Sequence, residues 1–374
     1  MGHGIRGLLR PPSQAAAVVD LLKALACSLI VLHHLAFYGP MSDHADDLFP
    51  GIFDWLSQHG RLAVQVFLVL GGYLAAQGAM KAGLQPVRGT QGPGVPHLCR
   101  QVATRVAQRY LRLAVPLWLA LILAVVCNAL ADHWMDHHSI SAPPALWQAF
   151  LHVVMLQDIV GHEALSAGIW YVAVDLQLFA MFTVMVALAQ LTHHPQRNLV
   201  WMVMGLLILS AFVFNRYAHW DVYAPYFWVS YGLGVLIGLK PRAGWLALGA
   251  ALVVLAYVWD PRIRLLVALA TVGVLWGWRA PLSALMASIM PACRALSRIS
   301  YAVFLVHFPI ALVVNALWVA FLPHQPLVQL IGVVTAFKLS LLGGWLFHVH
   351  LEQPLLRRVH TRLFVQSKLR PSAG

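Results

Sequence analysis

Charge is the scarcest feature of this chain. Only 10% of its 374 residues are Asp, Glu, Lys or Arg, whereas 60% are hydrophobic. A soluble domain of this length would need a far more charged surface, so the composition excludes a soluble protein. It predicts an all-α fold, a polytopic bundle of transmembrane helices.

Cysteine and the familiar catalytic motifs are also scarce. The four cysteines fall in predicted helices or connecting segments, so no disulfide framework is expected. The chain contains no phosphate-binding P-loop, no GxSxG nucleophile elbow and no HExxH zinc motif. Any chemistry must therefore come from side chains inside the bundle.

The net charge of +12 is distributed as a membrane protein requires, so no nucleic-acid partner is expected. The predicted loops 39–60 and 132–168 contain no Lys or Arg, and seven of the 13 acidic residues lie in them clear of their ends. Most of the 25 Lys and Arg lie at both termini and in four loops: 81–109, 192–197, 240–243 and 279–298. By the positive-inside rule, we expect this basic side and both termini to be cytoplasmic.

The hydrophobic runs predict about ten crossings. They are 17–38, 61–80, 110–131, 169–191, 198–215, 224–239, 244–259, 265–280, 299–321 and 327–348. The segment 146–158 is apolar but too short to cross, so we expect a re-entrant or interfacial helix there. The segment 81–98 is rich in Gly and Pro and predicts a flexible loop. We expect one membrane domain over 1–362 and a C-terminal tail over 363–374.

The first run carries ionisable side chains that hydrocarbon disfavours. Lys23 and His34 are eleven positions apart, about three helical turns, so they share one face roughly 16 Å apart. Asp20 lies near that face, whereas His33 points about 100° away from it. Ionisable groups inside a membrane usually face a protein interior or a wet cavity and serve chemistry or transport. His34 is therefore a candidate functional residue, and His33 is expected to pack or hydrogen-bond.

A stripe of arginines opens the third crossing. Arg105, Arg109 and Arg112 follow one another at i, i+4 and i+7, a density that suits phosphate binding. An anchor that reaches to lipid headgroups would give a similar pattern. Arg112 argues against a simple anchor because it lies a turn inside the apolar run.

Later crossings place further polar groups in the membrane. Asp175, expected near the outer leaflet, has two open interpretations. It could pair with a histidine or hold a sugar hydroxyl, or it could be a structural partner of Lys338 or His307. Ser300 and His307 are seven positions apart and face the same way. Lys338 lies mid-helix and needs a buried partner or a water-filled cavity.

The outer loop 132–168 contains His133 and His137, which could share a metal if that segment were helical. Without a third ligand at a fixed spacing, a solvated polar loop is the favoured interpretation, and no metal site is expected.

Six segments, in order along nearly the whole chain, resemble the motifs of the membrane acyltransferase-3 family. They are Asp20-x-x-Lys23…His34, Phe67-Leu-Val-Leu-Gly71, Arg109-x-x-Arg112…Pro116, Trp170…Asp175-x-Gln177, Ile299-Ser300-Tyr301…Leu305-Val-His307-x-Pro309 and Glu352-Gln-Pro354. Three positions depart from the family pattern: Lys23 replaces an Arg, Gly71 a Ser and Asp175 a Glu.

The resemblance implies a membrane O-acyltransferase in the bacterial cytoplasmic (inner) membrane. Such an enzyme moves an acyl group, commonly acetyl from acetyl-CoA, to a hydroxyl of a surface or exported polysaccharide. Acyl-CoA would be the donor substrate, with no tightly bound cofactor, and a carbohydrate acceptor and membrane lipids would be the partners. The oligomeric state is not set by the sequence.

The resemblance also assigns roles to residues. Those expected at the catalytic centre are His34, Asp175 and Lys23, and those expected to bind the donor are Arg109, Arg112, Lys23, Ser300 and Tyr301. His34 would act as general base or as a transient acyl carrier, and the sequence leaves both open.

Two rival classes remain. A secondary transporter or exporter of a glycan would also bury Lys, His and Asp in a bundle, but it predicts inverted repeats and paired broken helices, which this sequence lacks. A structural membrane protein would leave the intramembrane ionisable residues without a purpose.

Overall fold

The part of the chain that the structure describes is almost entirely helical. A computed structural model describes residues 14–83, 94–277 and 284–361, of which 84% are helical and none is in a strand. The predicted all-α class is therefore confirmed. The predicted tail 363–374 and most of the predicted flexible loop lie outside the described residues.

Each predicted crossing coincides with an α-helix. The α-helices of the described ranges, including shorter ones between the predicted crossings, are α1 Gln14–Phe37, α2 Pro40–Ala45, α3 Ile52–His59, α4 Val64–Lys81, α5 Val95–Asp132, α6 Leu146–Val153, α7 Gln157–Val160, α8 Trp170–Gln190, α9 Pro195–Phe212, α10 Ala224–Leu239, α11 Ala243–Trp259, α12 Ile263–Gly277, α13 Ala284–Phe321, α14 Pro326–Phe347 and α15 Gln353–His360. Within these ranges, seven helical stretches are long and apolar enough to span a bilayer, and α10, α11 and α12 are apolar but shorter. The protein is thus built as an integral membrane protein.

Two helices extend well beyond the thickness of a bilayer. Helices α5 and α13 have 38 residues each, about 57 Å of helix, against roughly 30 Å of hydrocarbon. Their additional turns carry Arg105 and Arg298, which define what we call the basic end of the bundle. The predicted loops 81–109 and 279–298 are therefore shorter than expected. The long aliphatic side chains of these arginines carry the charged groups to water, so α5 and α13 continue as helices past them.

The segment predicted not to cross forms a hairpin alongside α5. The descending arm of this hairpin starts at Ser141, whose backbone N–H donates to Asn128 Oδ1 at 2.9 Å. It then descends through α6 to Val153, whose carbonyl accepts a hydrogen bond from Trp118, ten residues or about 15 Å before Asn128 on α5. The chain returns to the starting level at Glu163, which accepts from the Ser141 hydroxyl at 3.2 Å. This is the path of a re-entrant segment.

Helix α10 forms the centre of the bundle. Every residue from Tyr226 to Leu239 is buried, so the helix is enclosed on all sides, as a core helix must be. It crosses α4 closely because small residues line the contact. A Cβ on Gly72 of α4 would overlap the carbonyl of Tyr231, and one on Gly234 of α10 would overlap the carbonyl of Val69. Close backbone approach through small residues is a general means of helix association in membranes.

Gly234→Ala is expected to weaken this crossing. The added methyl group has no free space at the Val69 carbonyl, so the helices must separate, at a cost of about 1–3 kcal/mol in the free energy of unfolding. Gly205→Ala on α9 is the matched control, because nothing lies within 4 Å of a Cβ there. Thermal unfolding in detergent should show a lower midpoint for the first variant only. Equal midpoints would contradict the close approach of α4 and α10.

Lys338 lies where the sequence did not predict it. The expectation of a buried partner or a wet cavity is wrong, because Lys338 is exposed on the outer surface of α14. No ion pair involves it within the described ranges. Most of α14 faces outward, and a long aliphatic stem can lie along such a surface while carrying its charge towards polar surroundings.

Candidate active site

A cavity of about 590 Å³ opens at the basic end of the bundle. Helices α1, α4, α5, α8, α10 and α13 contribute to its walls, and five basic and two acidic side chains line it. The volume is within the usual range of small-molecule sites. A pocket of this kind, positive overall and partly apolar, suits an anionic ligand that also carries apolar groups.

The deepest ion pair in this cavity joins α5 to α8. Arg109 donates from Nε at 3.0 Å and from a terminal nitrogen at 2.6 Å, both to Asp175 Oδ2, and its guanidinium lies over the Phe179 ring. The Asp175 side chain is only 7% exposed. Burying a carboxylate is costly unless a cation is held against it, so each member of the pair requires the other.

Asp175 therefore has a different partner from those considered in the sequence. It is paired neither with Lys338 nor with His307, and no hydrogen bond joins it to His34 among the described residues. The expected position near the outer leaflet also needs correction. Asp175 reaches Arg109, which lies 23 residues before the end of α5 at Asp132, because the chain enters the bundle deeply before α8 begins.

Three further arginines at the cavity are not neutralised. Arg105, Arg112 and Arg298 line it, and none forms an ion pair with a carboxylate in the described ranges. Arg112 and Arg298 are exposed, so their guanidinium groups remain available to a ligand. Unpaired guanidinium groups are strong bidentate donors to phosphate oxygens.

Lys23 is the remaining cation of the cavity and is half-buried. Asp20, Arg109 and Arg112 lie within electrostatic range of it. Asp20 is held by the neighbouring helix, since the Ser297 hydroxyl donates to its Oδ1 at 2.7 Å. The shared face predicted for Asp20 and Lys23 thus packs against α13 and borders the cavity.

Ser300 and Tyr301 also line this cavity, as predicted, but their hydroxyl protons are already used. Ser300 donates to the Ser297 carbonyl at 2.9 Å, and Tyr301 donates to the Leu113 carbonyl at 2.7 Å. The hydrogen bond of Tyr301 joins α13 to α5 at Leu113, three residues before Pro116. Proline has no backbone N–H, so one of the helical hydrogen bonds of α5 is absent there. Tyr301 therefore shapes the wall of the cavity, and its oxygen can still accept a hydrogen bond.

Three aromatic rings close the inner end of the cavity. Phe67, Tyr171 and Phe304 all line it, with ring centroids 6.2 Å apart for the first two and 5.7 Å apart for the last two. We call this set the aromatic wall. His34 is not among the lining residues of the cavity.

His34 lies next to this wall. Gly168, with φ +83°, lies close to both Phe304 and His34, because a Cβ there would be 3.1 Å from Phe304 Cζ and 3.4 Å from His34 Cε1. Only glycine combines this backbone conformation with so little space. His34 thus lies near Phe304 without itself lining the cavity.

His34 is paired with a second histidine. Its Nδ1 lies 2.5 Å from Nε2 of His307, and both side chains are buried. Although the spacing predicts that Ser300 and His307 face the same way, only Ser300 lines the cavity. His307 lies beyond Phe304, whose ring centroid is 6.1 Å from its own. The contact joins α1 to α13 across 273 residues of sequence.

The neighbouring His33 has the structural role predicted for it. Its Nδ1 donates to the Leu56 carbonyl at 3.0 Å, and Gly60 packs against its Cβ. Helical phase therefore separates the two histidines correctly, one towards α3 and the other towards α13.

The residues that the resemblance predicts to bind the donor all line this one cavity, together with residues that were not predicted. Tyr231, Ser297 and Glu352 also line the cavity. Ser297 is three positions before Ser300 and could have been found from helical spacing, whereas Tyr231 lies in a helix that is buried on all sides and gave no signal. Gly71 leaves space beside this group, since a Cβ there would lie 3.4 Å from the Tyr231 ring and 3.7 Å from Asp175 Oδ1. The serine of the family pattern would fit.

The histidines of the outer loop do not form a pair. The helix α5 ends at Asp132, so His133 and His137 are not on one helical face, and His137 contacts Ser139 instead. Across the residues that the structure describes, no group of three His, Cys, Asp or Glu is arranged to hold a metal ion.

Comparison with known proteins agrees with this architecture. The model of the acyltransferase-3 family (acyltransferase domain) matches residues 17–349. A curated relative, the regulator of hypoxia-inducible factor 1 of Caenorhabditis elegans, is 23% identical over 215 residues, which are 53% of this chain and 39% of that protein. No solved structure matches the chain. Because the family match covers nearly the whole chain, including both members of the histidine pair, this protein belongs to the acyltransferase-3 family.

Proposed function

We propose that the protein transfers an acetyl group from acetyl-CoA to a hydroxyl of a surface or exported polysaccharide. The observation that carries the proposal is the juxtaposition of a cationic cavity at the basic end with a buried histidine pair behind its inner wall. The first suits a phosphorylated acyl donor, and the second supplies an imidazole next to the aromatic wall at the inner end of that cavity. The proposed setting is the bacterial inner membrane, with ten crossings and both termini cytoplasmic.

The donor's phosphates would be held at the cavity mouth. Arg105, Arg112 and Arg298 are unpaired there, and Coenzyme A carries several phosphate charges that such groups bind. Arg109 would contribute from its fixed position against Asp175, and Lys23 would act deeper in. The acyl-bearing arm would then extend towards the aromatic wall.

The proposed chemistry is a single acyl transfer. His34 accepts the proton of the acceptor hydroxyl as its oxygen attacks the thioester carbonyl carbon. A new C–O bond forms, the C–S bond breaks, and the leaving thiolate takes the proton back from His34. The products are the O-acetyl sugar and Coenzyme A with a free thiol.

The proposal is tested on the polysaccharide itself. Mass spectrometry of surface glycans from cells with and without this chain should differ by acetyl groups on otherwise identical repeat units. Glycans that are present in equal amount and equally acetylated in both cells would overturn it. Loss of the glycan from the surface, with no change in acetylation, would instead favour a transporter.

Lys23→Arg is expected to preserve activity, whereas Lys23→Met should raise the KM for acetyl-CoA about tenfold or more. The first keeps a cation at the cavity, and the second removes a charge-assisted contact to the donor. Initial rates in membrane vesicles with radiolabelled acetyl-CoA measure both. An unchanged KM in the methionine variant would exclude Lys23 from donor binding.

A further inference from the structure

The hydrogen bonds around the histidine pair specify where its protons lie. His307 Nδ1 is 3.1 Å from the Val303 carbonyl and 2.8 Å from the Phe304 carbonyl. A carbonyl oxygen can only accept, so Nδ1 carries the proton and donates it. In a neutral imidazole the other nitrogen is then an acceptor, so His307 Nε2 presents a lone pair. His307 is fully buried, which favours this neutral form.

The proton of His34 follows from that of His307. Since His307 Nε2 accepts, His34 Nδ1, 2.5 Å away, must be the donor. The two ring planes are within 10° of each other, and their centroids are 4.9 Å apart, as expected for coplanar rings that meet edge to edge through these nitrogens. The lone pair of His307 therefore points along the N–H bond of His34.

We infer that His307 is a positioning residue that holds His34 in the Nδ1–H tautomer, so that the lone pair of His34 Nε2 is free to accept a proton. That nitrogen makes no hydrogen bond to any described residue. The role of this tautomer in catalysis rests on the proposed function, whereas the assignment of the tautomer rests only on the hydrogen bonds.

The arrangement also stabilises the charge that the proposed reaction creates. When His34 Nε2 takes the proton of the acceptor hydroxyl, its ring becomes cationic, and its hydrogen bond to His307 becomes charge-assisted. A bond that strengthens as charge develops lowers the barrier rather than only the ground state. The carbonyls of Val303 and Phe304 hold His307 in place throughout, as a second shell holds a catalytic group.

Two substitutions separate positioning from packing. His307→Gln keeps a carbonyl acceptor for the His34 N–H, whereas His307→Leu fills the space without an acceptor. We expect kcat to fall within about tenfold for Gln and by about 10²- to 10⁴-fold for Leu, as when a histidine loses the partner that sets its tautomer. The KM for acetyl-CoA should change by less than about twofold in both. Asn315→Leu, an equally buried polar residue on the same helix that binds Met41, is the control for lost packing.

Nitrogen-15 NMR of histidine-labelled protein measures the tautomer directly. The His34 signals, assigned by their absence in His34→Ala, should show a protonated Nδ1 and an unprotonated Nε2 in the wild type and in the Gln variant, but not in the Leu variant. A protonated Nε2 in the wild type, or equal kcat in the Gln and Leu variants, would overturn the inference. If the tautomer is as expected while no acyl transfer occurs with any glycan, the proposed function fails and the positioning role stands.

Discussion

His34→Ala is expected to abolish acyl transfer, with a loss of about 10²- to 10⁴-fold in kcat, while the protein still inserts into the membrane. General base catalysis contributes about that much. His307 is the other described imidazole near the aromatic wall, but its lone pair is directed at His34, so it cannot replace His34 as the base. The measurement is ester-linked acetate released by mild alkali from cell-surface glycans, normalised to the amount of protein in the membrane.

His33→Ala is the matched control for this loss. It removes an adjacent imidazole of the same helix, which binds the Leu56 carbonyl and packs against Gly60 but lies away from the wall. Its acetylation level should equal that of the wild type once expression is taken into account. Wild-type acetylation in His34→Ala, or equal losses in both variants, would remove His34 from the reaction.

The second large effect concerns the ion pair between α5 and α8. Asp175→Asn or Arg109→Met should each lower the free energy of unfolding by about 3–5 kcal/mol, because each leaves a buried group without its partner. The double variant Arg109→Met with Asp175→Leu should recover most of that stability, since neither charge remains. It should not recover acyl transfer, because the cavity loses a cation that lines the proposed donor site.

Thermal unfolding in detergent and transfer assays in vesicles measure these two properties separately. Stability in the single variants close to that of the wild type would mean that the pair does not hold α5 to α8. Recovery of both stability and activity in the double variant would mean that Arg109 serves structure alone.

Much of the architecture could be predicted because it depends on local properties. Each of the ten hydrophobic runs found by hydropathy coincides with a described helix, and the 3.6-residue period separated His33 from His34 correctly. The Arg105, Arg109 and Arg112 stripe does face a cavity, because three positions at helical spacing share a side whatever the helix packs against.

The errors arise where a contact depends on how distant helices dock. The partner of Asp175 lies 66 positions away and the partner of His34 lies 273 positions away, so no local pattern distinguishes them from other candidates. Tyr231 was missed for another reason. Its helix is buried on all sides, and such a helix has no polar face that would indicate which residues border a cavity.

The aromatic wall has a consequence for the membrane as an insulator. A cavity lined by five cations and open to solution at one end would, if it continued past Phe304, provide a path for water and ions through the bundle. The rings of Phe67, Tyr171 and Phe304 interrupt that path with apolar surface. Under the proposed function, the cavity would admit a large, charged donor while these rings help to maintain the transmembrane electrochemical gradient.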